Sequence, residues 1–247
     1  MALIQTHFFS EALTECSSMN VIIPVEAYPR ELYPVLWLLP PIGCDHTAWQ
    51  RNTGVEQLAE KYGIIAVMPD MKLSYGLDMA YGLDYFKMLT KELPEMAAHY
   101  FPADMGFQMI AGAKEGAYGA VMAALRFPGR YRAAAALSAG SLTDENWEET
   151  MESQAEHAFG TRNTAVLRGG DYDLGYWLEN LTDERLQVFL AYSPHDQLGL
   201  SAGILKEKLK KKIGGRLWAK EWQEPLTWAH WLAGVEHMVK AAISAPL

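Results

Sequence analysis

The stretch Phe107-Gln108-Met109-Ile110-Ala111-Gly112-Ala113-Lys114-Glu115-Gly116-Ala117-Tyr118-Gly119-Ala120 decides the fold. Its first half is an apolar run that reads as a buried strand ending at Gly112. Small residues then continue from Gly116 to Leu125, a composition that lets a helix lie close on a sheet, and Phe127-Pro128-Gly129 stops it. Between strand and helix lies only Gly112-Ala113-Lys114-Glu115-Gly116. So abrupt a turn is crowded, and glycine relieves the crowding because it has no Cβ. A bare Gly-x-x-x-Gly also marks ordinary helix packing; its place after a buried strand is what gives it weight here.

On either side of this turn, strand-like and helical stretches alternate, as expected of a mainly parallel sheet covered on both faces. Residues 3–9 and 19–25 read as opening strands with no helix between them, so they should pair antiparallel at one edge. Val35–Leu39 and Gly63–Pro69 read as buried strands, with helices near 53–61 and 83–100. Beyond the turn, strands are expected at Arg132–Ser138, Leu186–Tyr192 and Arg216–Trp222, with helices near 200–212 and 228–243. Residues 141–180 have weak periodicity, many acids and several aromatics, and are expected to form a cap over the carboxyl edge of the sheet. No internal repeat or low-complexity tract divides the chain, so residues 1–247 read as a single domain.

Composition narrows the function classes. Half of the residues are hydrophobic and 21% are charged, enough apolar material for one large core. The net charge is −9, and the one basic cluster, Lys206 to Lys212, reads as a solvated helix face. That balance argues against nucleic acid and anionic membrane as partners. No apolar run reaches the ~18 residues of a spanning helix, and the amino terminus does not resemble a secretion signal. Cys16 and Cys44 make neither a disulfide framework nor a metal-ligand spacing, which fits a reduced, cytoplasmic setting. Neither a metal nor a cofactor is expected.

In open parallel sheets, ligands bind beyond the carboxyl ends of the strands. Four segments qualify: Pro40 to Trp49, Gly112 to Gly116, Ser193 to Leu198 and Glu224 to Trp231. A strand, Gly-x-nucleophile-x-Gly and a helix form the nucleophile elbow, in which the glycines let the middle side chain stand at the foot of a pocket. The middle residue here is Lys114. Hydrolases with this turn place an acid and then a histidine after later strands. Asp196 stands where the acid belongs, but Gln223-Glu224-Pro225-Leu226-Thr227 holds no histidine.

The whole chain resembles the family of small bacterial esterases that includes tributyrin esterases and is related to esterase D and S-formylglutathione hydrolase. The resemblance rests on Phe9-Ser10-Glu11, Pro34 to Leu39, His46-Thr47-Ala48-Trp49, Val67-Met68-Pro69, Tyr81 to Tyr85 with Glu92-Leu93-Pro94, Ala111-Gly112 through Gly119-Ala120, and Trp228-Ala229-His230-Trp231. It implies an α/β-hydrolase fold and, in the family, hydrolysis of short-chain carboxylic esters through an acyl-serine. A small ester or carboxylate-like ligand and a homo-oligomer are the partners it implies.

The departures fall on the chemistry. Where the family has Gly-Leu-Ser-Met-Gly-Gly, this chain has Gly112 to Ala117, so the serine aligns with Lys114. The family's His-Gly pair in the oxyanion loop aligns with Pro40-Pro41, which offer no N–H; Ile42 and Gly43 still could. The family histidine aligns with Leu226, leaving Asp196 as the one retained member of the triad. Glu115, Trp49 and Trp228 complete the expected pocket. These substitutions predict absent or very weak ester hydrolysis, leaving a ligand-binding or scaffolding protein or a site rewired around Lys114 and Asp196. A lysine side chain reaches roughly 6 Å from its Cα, so Lys114 is expected to form an ion pair with Asp196, Glu115 or another acid of the cleft. His195 and His230 read as surface or packing residues, and Asp45-His46 has too few neighbours for a metal site. Ser138 reads as a pocket-lining residue at a strand end, and Trp231 as core or pocket wall. Exposed aromatics within 147–177 would offer a binding or subunit surface.

Overall fold

The computed structural model describes residues 1–140 and 155–245. Eight strands form one sheet in the order β1-β2-β4-β3-β5-β6-β7-β8. They are β1 (Ala2–Ser10), β2 (Glu15–Ile23), β3 (Tyr33–Leu39), β4 (Ile65–Pro69), β5 (Ala103–Ala113), β6 (Tyr131–Leu137), β7 (Gln187–Tyr192) and β8 (Leu217–Glu221). β1 pairs antiparallel with β2, as the missing helix between them requires, and β2 pairs antiparallel with β4. All later neighbours are parallel.

Several strand boundaries differ from the sequence reading, β2 beginning at Glu15 and β4 at Ile65, and two of the differences have a clear local reason. β2 stops at Ile23 because Pro24 has no N–H to continue a ladder. β5 begins at Ala103, not Phe107, because its register jumps: Pro34 pairs with Asp104 but Val35 with Gln108, so three residues of β5 loop out.

The sheet separates two apolar layers, and β3 shows why its sequence is apolar throughout. Val35, Trp37 and Leu39 pack into one layer while Leu36 and Leu38 pack into the other, the two-residue alternation of a strand buried on both faces. The first layer holds α3 (Tyr85–Lys87), α4 (Leu93–Tyr100), α5 (Glu115–Arg126) and later helices. The second holds α1 (Ala48–Asn52), α2 (Val55–Tyr62) and the terminal helix, numbered α10 below. At the centre, β6 carries four consecutive alanines, Ala133 to Ala136, so helices can approach it from both sides.

A π-helical turn, Met88–Glu92, joins α3 to α4 just before Pro94. Proline cannot donate to the carbonyl four residues back, and the carbonyl concerned, Thr90 O, instead accepts a hydrogen bond from Arg130 Nη1.

The proposed cap falls partly outside the described residues, which omit 141–154. From 155 onward the segment forms three short helices, α6 (Ala155–Phe159), α7 (Thr164–Leu167) and α8 (Leu174–Glu179). Ala80 and Tyr81 donate backbone hydrogen bonds to Ala158 and His157 of α6. Phe159 packs against Tyr75, Tyr118 and Tyr172, and the Tyr118 hydroxyl donates to the Tyr172 carbonyl. Most described aromatics of this segment therefore face inward, and Tyr176 is the one that is exposed. α9 (Gly199–Ile213) and α10 (Trp228–Ser244) complete the chain. Lys210, Lys211 and Lys212 are exposed on α9 and Lys208 is half-buried, while the Lys206 ammonium lies over the Tyr192 ring and donates to its hydroxyl at 3.0 Å. Among the described residues, no helix is long and apolar enough to cross a membrane.

Candidate active site

β5 delivers its last residues straight into α5 through Lys114, whose backbone sits at φ 50°, ψ −116°. A non-glycine residue at positive φ is strained. Here the Lys114 N–H is held by the Leu137 carbonyl at 2.8 Å. Both flanking glycines are required by contact: a Cβ on Gly112 would collide with the backbone of Gly116, and one on Gly116 with the Pro40 carbonyl. The turn is thus wedged against the loop after β3.

The Lys114 side chain is exposed and makes no ion pair within 4.0 Å among the described residues. The expected pair with Asp196 does not form, and Asp196 is held by other partners. Its Oδ2 accepts from Ser138 Oγ at 2.8 Å and its Oδ1 from the Leu226 N–H at 3.1 Å. A lysine left in water loses no hydration, whereas pairing would hold a long side chain in one geometry.

Ser138 has a larger place than sequence reasoning gave it. It follows β6 at φ 54°, is 4% exposed, and accepts from Trp231 Nε1 at 3.0 Å while donating to Asp196. A relay from Trp231 through Ser138 to Asp196 therefore fills the space beside the acid. The positive φ that aims Ser138 had no signal in the sequence, since nothing about Leu-Ser-Ala requires it. Leu226 is 9% exposed and belongs with Trp49, Trp231 and Val235 to the second apolar layer, and its N–H donates to Asp196.

Across the cleft, Pro40 and Pro41 are buried, and Gly43 takes φ 78°. The Ile42 N–H points at the start of α5, where Glu115 Oε2 accepts it at 3.1 Å. Glu115 is the acid of the first turn of α5, where the helix dipole favours a negative charge. Trp49 anchors the loop by donating Nε1 to Leu39 O at 3.0 Å. Trp228 stands edge-on to Trp49 at 5.3 Å and to Trp231 at 4.9 Å, forming an aromatic wall.

Beside the loop lies a shallow groove of about 270 Å³ lined by Gly43, Cys44, Asp45, Arg51, Lys72 and Leu73. Burial pushes the Cys44 thiol up; Asp45 and Glu115 add to the shift, and Arg51 and Lys114 oppose it. Asp45 is held below its usual range by the Thr47 hydroxyl, which donates to Oδ1 at 2.5 Å. His195 is exposed, with its N–H on Ser193 Oγ. His230 accepts the Thr227 N–H at 3.1 Å and so caps α10. Neither ring approaches Asp196 within hydrogen-bonding distance. Among the described residues, no three His, Cys, Asp or Glu side chains gather as metal ligands.

The geometry has close relatives. The chain is similar to S-formylglutathione hydrolase of Paracoccus denitrificans, 32% identical over 151 residues, which are 52% of this chain and 54% of that protein. The chain spans about half the length of the curated relatives it matches. Among solved structures, the substrate-bound fluorophosphonate-binding serine hydrolase FphF of Staphylococcus aureus superimposes with a TM-score of 0.85 at 19% identity, covering 99% of each chain. The S-formylglutathione hydrolase FrmB of Staphylococcus aureus does so with a TM-score of 0.83 at 20% identity, covering 98% of this chain and 99% of the other. At these identities the superpositions speak for the fold, and they establish the α/β-hydrolase architecture. The Esterase family model, described as "Putative esterase", matches residues 10–173, well over half of the chain. The chain belongs to that esterase family of α/β-hydrolases.

Proposed function

We propose that this esterase-family chain binds a small ester or carboxylate-like ligand in the cleft beside Lys114 without turning it over through an acyl-serine. The observation that carries the reading is the hydrogen bond from the Ile42 N–H to the Glu115 carboxylate. Acyl transfer at an elbow needs backbone donors aimed at the place where an oxyanion develops. In this chain one such donor already holds a negative oxygen of the protein itself, and Pro40 and Pro41 supply none. The remaining losses agree with it. Lys114 takes the serine position, Leu226 takes the histidine position, and Asp196 accepts from Ser138 and a backbone N–H.

One observation favours a second reading, a site rewired around Lys114: among the described residues its amine has no carboxylate partner to hold it. Against this, reactive lysines are activated by desolvation or a second cation, and Lys114 is exposed. Hydrolysis of p-nitrophenyl acetate and butyrate separates the two. Rates equal to the buffer background, for the chain as it stands and for Lys114→Ala, are expected. Turnover well above background that disappears in Lys114→Ala would overturn the binding-protein reading.

A further inference from the structure

The cleft described above lies at the carboxyl edge of the sheet. At the amino edge, where β6, β7 and β8 begin, a second and larger cavity of about 480 Å³ opens. Four arginines line it, Arg130, Arg132, Arg185 and Arg216, against two acids, Asp183 and Glu184. A positive lining is unexpected on a chain whose net charge is −9.

The arginines are held in place by the fold. Arg130 donates to Thr90 O, the carbonyl that Pro94 cannot use, and its guanidinium lies over the Phe127 ring at 4.2 Å. Arg216 donates to Asp183 O at 2.9 Å and Leu186 O at 3.3 Å. Arg132 donates to Ala245 O and lies over Phe107. Carbonyl oxygens fix a guanidinium without cancelling its charge, and neither Arg130 nor Arg216 has a carboxylate within 4.0 Å among the described residues. Asp183 is already engaged, accepting from the N–H groups of Gly129 and Arg185 and facing the Arg185 guanidinium.

A second observation concerns a neutral donor. Tyr131, the first residue of β6, lines the same cavity and is 2% exposed, and its hydroxyl is buried beside the Arg130 guanidinium. Burial raises this hydroxyl to about 12, opposed by the neighbouring Arg130, so it remains a proton donor at neutral pH.

We propose that this cavity binds a small phosphate-bearing molecule, with Arg130 and Arg216 as its cationic donors and Tyr131 as a neutral one. Arg130 and Arg216 line the cavity from separate elements, and cationic donors spread in this way suit a tetrahedral oxyanion better than a planar carboxylate. The volume exceeds that of a lone oxyanion, so the ligand carries further atoms beyond its phosphate.

The test is isothermal titration of the full chain with inorganic phosphate, pyrophosphate and citrate at matched ionic strength. One-to-one, saturable binding of pyrophosphate is expected, tighter than that of citrate. Arg130→Gln should weaken it by about tenfold or more, the loss of a charge-assisted bond. Tyr131→Phe, which removes only the buried hydroxyl and keeps the ring, should weaken it by roughly threefold to tenfold. No binding of any phosphate, equal affinity in Tyr131→Phe and the parent, or preference for citrate would each overturn the proposal.

Discussion

The carboxylate of Glu115 accepts the backbone N–H of Ile42 at 3.1 Å, joining the first turn of α5 to the loop after β3 across the mouth of the cleft. The bond has two consequences, one for stability and one for ligands. Glu115→Ala should destabilise the fold by roughly 1–2 kcal/mol, the lower part of the range for a bond to a charged group because Glu115 is only half-buried. The same variant should bind butyrate more tightly, since the competing internal carboxylate is gone. Chemical denaturation and butyrate titration read both effects; an unchanged stability would show that the bond contributes nothing.

Cys44 reports the charges around the elbow. Its raised pKa makes alkylation by iodoacetamide, followed in a Cys16→Ser background, rise with a midpoint above 9.0. Lys114→Ala should raise the midpoint further, because the ammonium favours the thiolate, and Glu115→Gln should lower it. The sign for stability follows: the unfolded thiol ionises first, so the contribution of Cys44 is complete below 9.0 and is lost as pH rises through the higher folded value. Opposite shifts in the two variants would place Lys114 and Glu115 differently about the thiol.

Ser138 should matter more to stability than its small size implies. Ser138→Ala strands Trp231 Nε1 and one oxygen of Asp196 together, at a cost of about 1–3 kcal/mol for each buried group left unmet. Trp231→Phe leaves Ser138 still bonded to Asp196, so less of its effect should come from hydrogen bonding and more from lost packing. Urea denaturation of both single variants and the double variant isolates the coupling, expected to be positive and within about 0.5–3 kcal/mol.

The frame of the fold was legible in the sequence because burial on both faces leaves long apolar runs. Val35–Leu39 and the stretch through Gly112 needed no tertiary information. Boundaries were less legible where backbone events decide them, as in the register jump opposite Pro34. At the site, the place of Lys114, Glu115 and Asp196 followed from the turn and the order of strands. Their partners did not. Residue type and spacing made a Lys114–Asp196 pair within reach, whereas the actual partner of Asp196 depends on Ser138 holding φ 54° and on Trp231 reaching back from α10. Nor does the sequence reveal that the Glu115 side chain folds back onto Ile42.

Restoring a serine should not restore hydrolysis. On the proposed reading, in which Leu226 stands in the histidine's place, the hydroxyl of Lys114→Ser has no base, and loss of either group from such a triad costs several orders of magnitude. Measurable p-nitrophenyl acetate turnover is expected only when Lys114→Ser is combined with Leu226→His and Glu115→Met. Robust turnover by Lys114→Ser alone would contradict the place assigned to Leu226.

Intact-mass spectrometry after exposure to an excess of a fluorophosphonate probe tests the central claim most directly, because such a probe reports an activated nucleophile whatever the natural ligand is. The chain should emerge unmodified under conditions that fully label an active serine hydrolase. A stoichiometric phosphonyl adduct, mapped to Lys114 or to Ser138, would contradict the account.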